Sequence, residues 1–266
     1  MFDNKNHFCI TRDKYFFSLC FFAVILFQLA LLAWLYDASD NFNANGMSPE
    51  LIGRKGAVVL SLVEFSFFTL LIPVILCLSY SFFGKSGQRS LFMMLPYQKR
   101  IKRIEVLNTI YIVTILVLTA VIPASYLYLW KVPVYIVFRM IATLLIAGFF
   151  ISAIYHFAYS LFRNSFASVT VTYLTLFFLV GGIILMNPLI EWIGNPESVI
   201  WMTLLLNPLV ATALSIHMDI LRTDPLYYLS VVSVFKFQYP DIAQFWISYV
   251  LISTVLFMVK IKYPEK

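Results

Sequence analysis

A short list of residues in this chain has the type and spacing to do chemistry. Gly84-Lys85-Ser86 has the ending of a phosphate-binding loop, but the glycine required five positions earlier is Ser79 and no strand precedes it, so nucleotide binding is excluded there. Gly84-Lys85-Ser86-Gly87 also fits the Gly-x-Ser-Gly setting of a nucleophilic serine. Ser86 would then need a base, and His156 is the candidate within an apolar stretch. Ser86 lies among charges instead. His156 has no His, Cys or carboxylate four residues away and is read as a packed residue, not a metal ligand. Glu64 and Arg139 each interrupt a long apolar run. An ionisable residue there marks a solute path, or the two form a structural pair with Arg139 reaching toward the headgroups. His217 and Asp219 form at most a surface pair. No metal, cofactor or catalytic residue is assigned.

The elements that carry these residues belong in lipid. The 266-residue chain is 61% hydrophobic and 12% charged, against roughly a quarter charged in a soluble domain. The expected class is an all-α, polytopic membrane protein forming one transmembrane domain over residues 1–266. Six spans are expected at about 15–36, 57–83, 106–130, 133–162, 166–186 and 242–261. The first, at about 33 Å as a helix, is longer than a signal-peptide core and is read as an uncleaved span. Pro73 is expected to kink the second. Residues 131–132 leave only a tight hairpin between the third and fourth spans.

The region 187–241 breaks the pattern. It holds Asn187-Pro188, Asn195-Pro196 and Asn207-Pro208. Residues 199–218 are apolar enough to cross a bilayer, but Asn207-Pro208 interrupts them near the middle, since a proline disfavours a helical residue before it. Two short helices dipping into the outer leaflet are therefore expected. Six spans place both termini on one side. Of the 19 Lys and Arg residues, 13 then fall on that side, which identifies it as cytosolic. The net charge of +6 follows from this asymmetry, and no nucleic-acid partner is implied. Cys9, Cys20 and Cys77 are expected as reduced thiols.

The longest cytosolic interruption, residues 84–105, carries six basic residues around an apolar patch, Leu91, Phe92, Met93, Met94 and Leu95, closed by Pro96. Leu91 and Leu95 share a helix face, and five consecutive apolar residues beside a water-facing turn call for a protein cover. Residues 97–104 read mainly as a basic anchor on anionic lipid.

The order of these parts resembles the permease subunit of type-2 ATP-binding-cassette transporters. Gly87, Leu91–Met94 and Leu95-Pro96 followed by a basic helix are similar to that family's cytosolic loop. Phe162, Arg163, Asn164 and Ala167 are similar to its inner turn, and Asn207-Pro208 to its outer helix break. The acidic residues usual before the loop glycine are here Lys85 and Ser86. The resemblance implies an exporter subunit in a bacterial cytoplasmic membrane. It implies no nucleotide site in this chain, a separate ATPase docked on loop 84–105, and a second permease copy or related permease. The competing classes are an intramembrane protease and a membrane scaffold or assembly factor.

Overall fold

The computed structural model describes residues 49–86, 132–184, 186–219, 221 and 238–262, with isolated helical positions between 22 and 37; at 49–55, 78–86, 186–189 and 260–262 only the backbone is described. Every described element is an α-helix: α1 Pro49–Ser86, α2 Val134–Phe162, α3 Ser165–Gly181, α4 Met186–Ile193, α5 Pro196–Leu206, α6 Pro208–Ser215 and α7 Ile242–Lys262. Within them, Gly56–Cys77, Val134–Phe162 and Ile242–Val259 are long and apolar enough to cross a membrane. The pair α5–α6 adds a fourth crossing only if its two bent halves count as one. These helices mark the chain as a membrane protein.

α2 is the organising helix. Its 29 residues make about 44 Å, so it must tilt within a bilayer or extend beyond it. It is apolar on all sides, as a helix that meets other helices on some faces and lipid on the rest must be. One side packs with α1 and α3 in a cluster that includes Leu60, Phe68, Met140, Ile151 and Leu176. Another packs with α5, α6 and α7 in a cluster that includes Phe150, Ile154, Leu204, Val210 and Tyr249. Outward-facing side chains such as Phe138, Phe177, Ile247 and Val255 are exposed, as lipid contact requires.

Three boundaries differ from the sequence expectation. α1 begins at Pro49, inside the stretch read as a polar loop, and runs on through Gly84 and Lys85 to Ser86. Hydropathy marks the part of a helix that meets lipid, whereas backbone hydrogen bonding continues into the polar zone. Pro49 suits a first turn, where its missing N–H has no partner to lose. Gly53 and Gly56 cost only about 1 kcal/mol each relative to alanine. α3 ends at Gly181 instead of Met186, and Met186 begins α4. At 17 residues α3 is about 26 Å long, a little short of the roughly 30 Å hydrocarbon core. The expected spans at 15–36 and 106–130 lie outside the described residues, apart from the isolated positions noted above. So does the coupling patch, Gly87 and Leu91 through Pro96.

Candidate functional site: the broken helix and its polar ties

α5 and α6 meet at Asn207 with a 75° change of direction. Asn207 closes one helix and opens the next. Its N–H donates to Leu204 O at 3.1 Å, ending α5. Its side-chain Oδ1 accepts from Leu209 N at 3.0 Å and Val210 N at 3.2 Å, capping α6. Asparagine is among the best N-caps, and Pro208 at the first helical position has no N–H to satisfy. The remaining amide donates from Nδ2 to Val180 O, 3.0 Å away near the end of α3. Asn207 is wholly buried. Irregular backbone at this depth persists only where protein meets every polar group, and here one side chain meets three.

The α3 end is pressed against this break. A Cβ on Gly182 would lie 2.9 Å from Thr203 Cγ2 and 3.2 Å from Phe178 O. Only glycine lets α5 approach so closely.

The far end of α6 is tied to α2. His217 sits at φ 60, the left-handed position after a helix. Met218 N donates to Ala213 O at 2.9 Å and His217 N to Leu214 O at 3.1 Å, the paired bonds of a Schellman termination. Arg139, from the second turn of α2, reaches this end. Its Nη2 donates to Leu214 O at 3.4 Å and its Nη1 lies 3.1 Å from His217 Nε2. Since guanidinium only donates, His217 Nε2 accepts and the ring carries its proton on Nδ1. A cation at a helix C-terminus also faces the negative end of the helix dipole. The Tyr135 ring stands edge-on to His217 at 6.2 Å, and Asp219 accepts a hydrogen bond from the Tyr239 hydroxyl. A turn further along α2, Thr143 accepts from Trp246 Nε1 of α7 at 2.9 Å.

These ties fix the course of the chain. α2 and α3 form a hairpin through residues 163–164, so α3 ends toward the end of the bundle where α2 begins. His217, beside Arg139, returns the chain to that same end, and α7 starts there against Thr143. The eleven residues of α5 and eight of α6, bent by 75°, reach about 23 Å end to end, short of the roughly 30 Å core.

The intramembrane residues singled out from sequence are placed as follows. Glu64 is wholly buried on α1. Arg139 turns to α6, and no ion pair joins it to Glu64 among the described residues, so the pair left open by the sequence does not form. His156 is buried on α2 between the rings of Tyr155, at 6.0 Å, and Phe257, at 5.7 Å, a packed position. Pro73 lies within α1, and three residues before it Leu70 O accepts from the Tyr173 hydroxyl of α3 at 2.6 Å. A proline loosens the carbonyls of the preceding turn, which opens such a site. Among the described residues no group of His, Cys, Asp or Glu could hold a metal ion.

Sequence reasoning missed two features. One is the role of Asn195-Pro196, where Asn195 Oδ1 accepts from Ser198 N at 3.2 Å and starts α5. The Asn-Pro order itself carries that signal, a cap followed by a pre-set first turn. His217 as the partner of Arg139 had no sequence signal, because the two stand 78 residues apart.

Fold and site together define a helical membrane protein with a broken helix enclosed by its bundle. No protein-family model, no curated protein and no solved structure matches this chain.

Proposed function

We propose that the chain is the membrane-spanning permease subunit of an ATP-driven exporter of the type-2 ATP-binding-cassette kind. In this reading it lies in a bacterial cytoplasmic membrane with both termini cytosolic. It crosses six times, through α1, α2, α3, α7 and the segments 15–36 and 106–130, with α5–α6 re-entrant from the outer face. A separate ATPase seats on loop 84–105, and a second permease copy or a related permease completes the path, since six spans are few to enclose one. ATP-driven closure of the ATPases would move the coupling loops and reorient the spans around the broken helix.

One observation supports this reading most: a broken, protein-covered helix at Asn207-Pro208, bent by 75° and preceding α7 in the chain. It stands in the position that the resemblance assigns to such a break. Its many side-chain ties to α2 and α3 suit an element that must move with the spans as one piece.

Affinity purification of the full chain from membranes tests the class. A stoichiometric ATPase is the expected partner, and its absence from gently solubilised membranes counts against the proposal. The sharper test is Leu91→Asp with Leu95→Asp. These changes should abolish ATPase association while leaving membrane insertion intact. Association that survives them overturns the docking assignment, however well the neighbouring basic residues fit the topology.

A further inference from the structure

Buried serine and threonine hydroxyls in the described helices obey one rule with one exception. From Ser61 on α1 to Ser215 on α6, each donates to a carbonyl three or four residues back on its own helix. Any helical serine can reach that bond by rotating its side chain. Ser253 of α7 is wholly buried and makes no hydrogen bond. Its exposed neighbour Thr254 does make the usual one, to Val250 O at 2.7 Å. The Ser253 hydroxyl therefore points away from its own backbone, into the bundle.

One turn earlier on the same face, Tyr249 is also wholly buried and its hydroxyl has no partner. That hydroxyl cannot swing aside. The Tyr249 ring is stacked on Phe150 of α2, with centroids 4.8 Å apart and planes 7° from parallel, and also meets the Phe245 ring edge-on at 6.3 Å. The same face of α7 carries Trp246, bonded to Thr143, and Phe257, against His156. From Trp246 to Phe257 this line of polar groups along α2 and α7 runs about 16 Å.

A buried hydroxyl without a partner is disfavoured, and Ser253 has a satisfied alternative one rotation away. A partner that enters the seam accounts for both hydroxyls at once. We propose that Tyr249 and Ser253 mark a water-accessible seam between α2 and α7, where water, entering as the seam opens, bonds to the two hydroxyls. The inference goes beyond the transporter reading and does not require an ATPase. If that reading holds, the seam is the wet side of the solute path.

The test uses full-length chain in membrane vesicles, with Cys9, Cys20 and Cys77 replaced by serine. Single cysteines are introduced as Ser253→Cys and, for comparison, Leu204→Cys, an equally buried apolar site of the same cluster. A small charged methanethiosulfonate, which reacts in water, should modify Ser253→Cys at least about tenfold faster than Leu204→Cys, because reaction follows local opening. Equal rates overturn the proposal. Tyr249→Phe combined with Ser253→Ala keeps the packing and removes both hydroxyls. In a wet seam the double variant should melt lower than the parent, by about 2–4 °C. In a dry seam it relieves two unpartnered groups and melts higher, which also overturns the proposal. Neither readout depends on co-purifying ATPase, so failure here is distinguishable from failure of the transporter assignment.

Discussion

Asn164 and Asn207 cap helices in the same way and live in opposite surroundings. Each stands at a change of chain direction, and each accepts from the N–H groups two and three residues on: Phe166 and Ala167 for Asn164, Leu209 and Val210 for Asn207. Asn164 is exposed at the two-residue turn between α2 and α3, where water can replace it. Asn207 is wholly buried at the α5–α6 break and also bonds a third segment through Val180 O. A capping side chain adds modestly to stability where water competes and becomes indispensable where water is absent.

The largest effect that tests this contrast is Asn207→Ala. It strands two N–H groups and one carbonyl in a buried position. Each stranded group costs about 1–3 kcal/mol, so the three together cost about 3–9 kcal/mol. That is a large fraction of the 5–15 kcal/mol that holds a typical fold together. The variant should fail to accumulate, or should melt far below the parent in detergent. A variant that melts within a few degrees of the parent would show that water reaches the break, and the contrast with Asn164 would collapse.

Some of this was legible in the chain itself. α2 and α7 were readable almost to the residue because a long apolar run is bounded at each end by Pro, Asn or charge: Pro133 and Arg163, Asp241 and Lys262. Asn207-Pro208 was readable as a break because asparagine is a favoured cap and proline a favoured first helical residue; a proline alone does not decide it, since Pro73 lies inside α1. The ends of α1 were not readable, since Arg54, Lys55 and Lys85 are as compatible with an exposed helical turn as with a loop. The Arg139–His217 tie was not readable either. Charge at a span end looks the same whether it meets a headgroup, a carboxylate or the end of another helix, and only the tertiary course of α6 decides.

A second pair of residues sharpens the comparison with smaller effects. Arg163 and His217 are the two described non-glycine residues with positive φ, at 50° and 60°, each just after a helix. The left-handed conformation costs an L-residue about 1–2 kcal/mol, which glycine avoids. His217 has compensation in its bond to Arg139. His217→Ala loses that bond and keeps the strain, so it should destabilise by about 1.5–3 kcal/mol, the range for a hydrogen bond to a charged group. His217→Gly loses the bond and relieves the strain, so it should be near neutral. Equal melting temperatures for the two variants would remove the strain argument.

Asn164→Ala comes next, at about 1 kcal/mol, the usual loss for an exposed cap. Thermal unfolding in detergent should show a drop of a few degrees, several times smaller than for Asn207→Ala.

Arg163→Gly is the smallest effect and has the opposite sign. Among the described residues the Arg163 side chain makes no hydrogen bond or ion pair, while its N–H donates to Tyr159 O at 2.9 Å and so ends α2. Glycine preserves that backbone bond and occupies the left-handed position without strain. The gain should approach about 1 kcal/mol, offset in part by the greater freedom of glycine in the unfolded chain. A raised melting temperature for Arg163→Gly beside an unchanged one for His217→Gly would show that one backbone conformation serves two purposes. At residue 163 it only turns the chain, and at residue 217 it also presents a ring to Arg139. A fall at both positions would mean that the Arg163 side chain has a stabilising contact of its own, for which lipid headgroups at the membrane surface are the available partner.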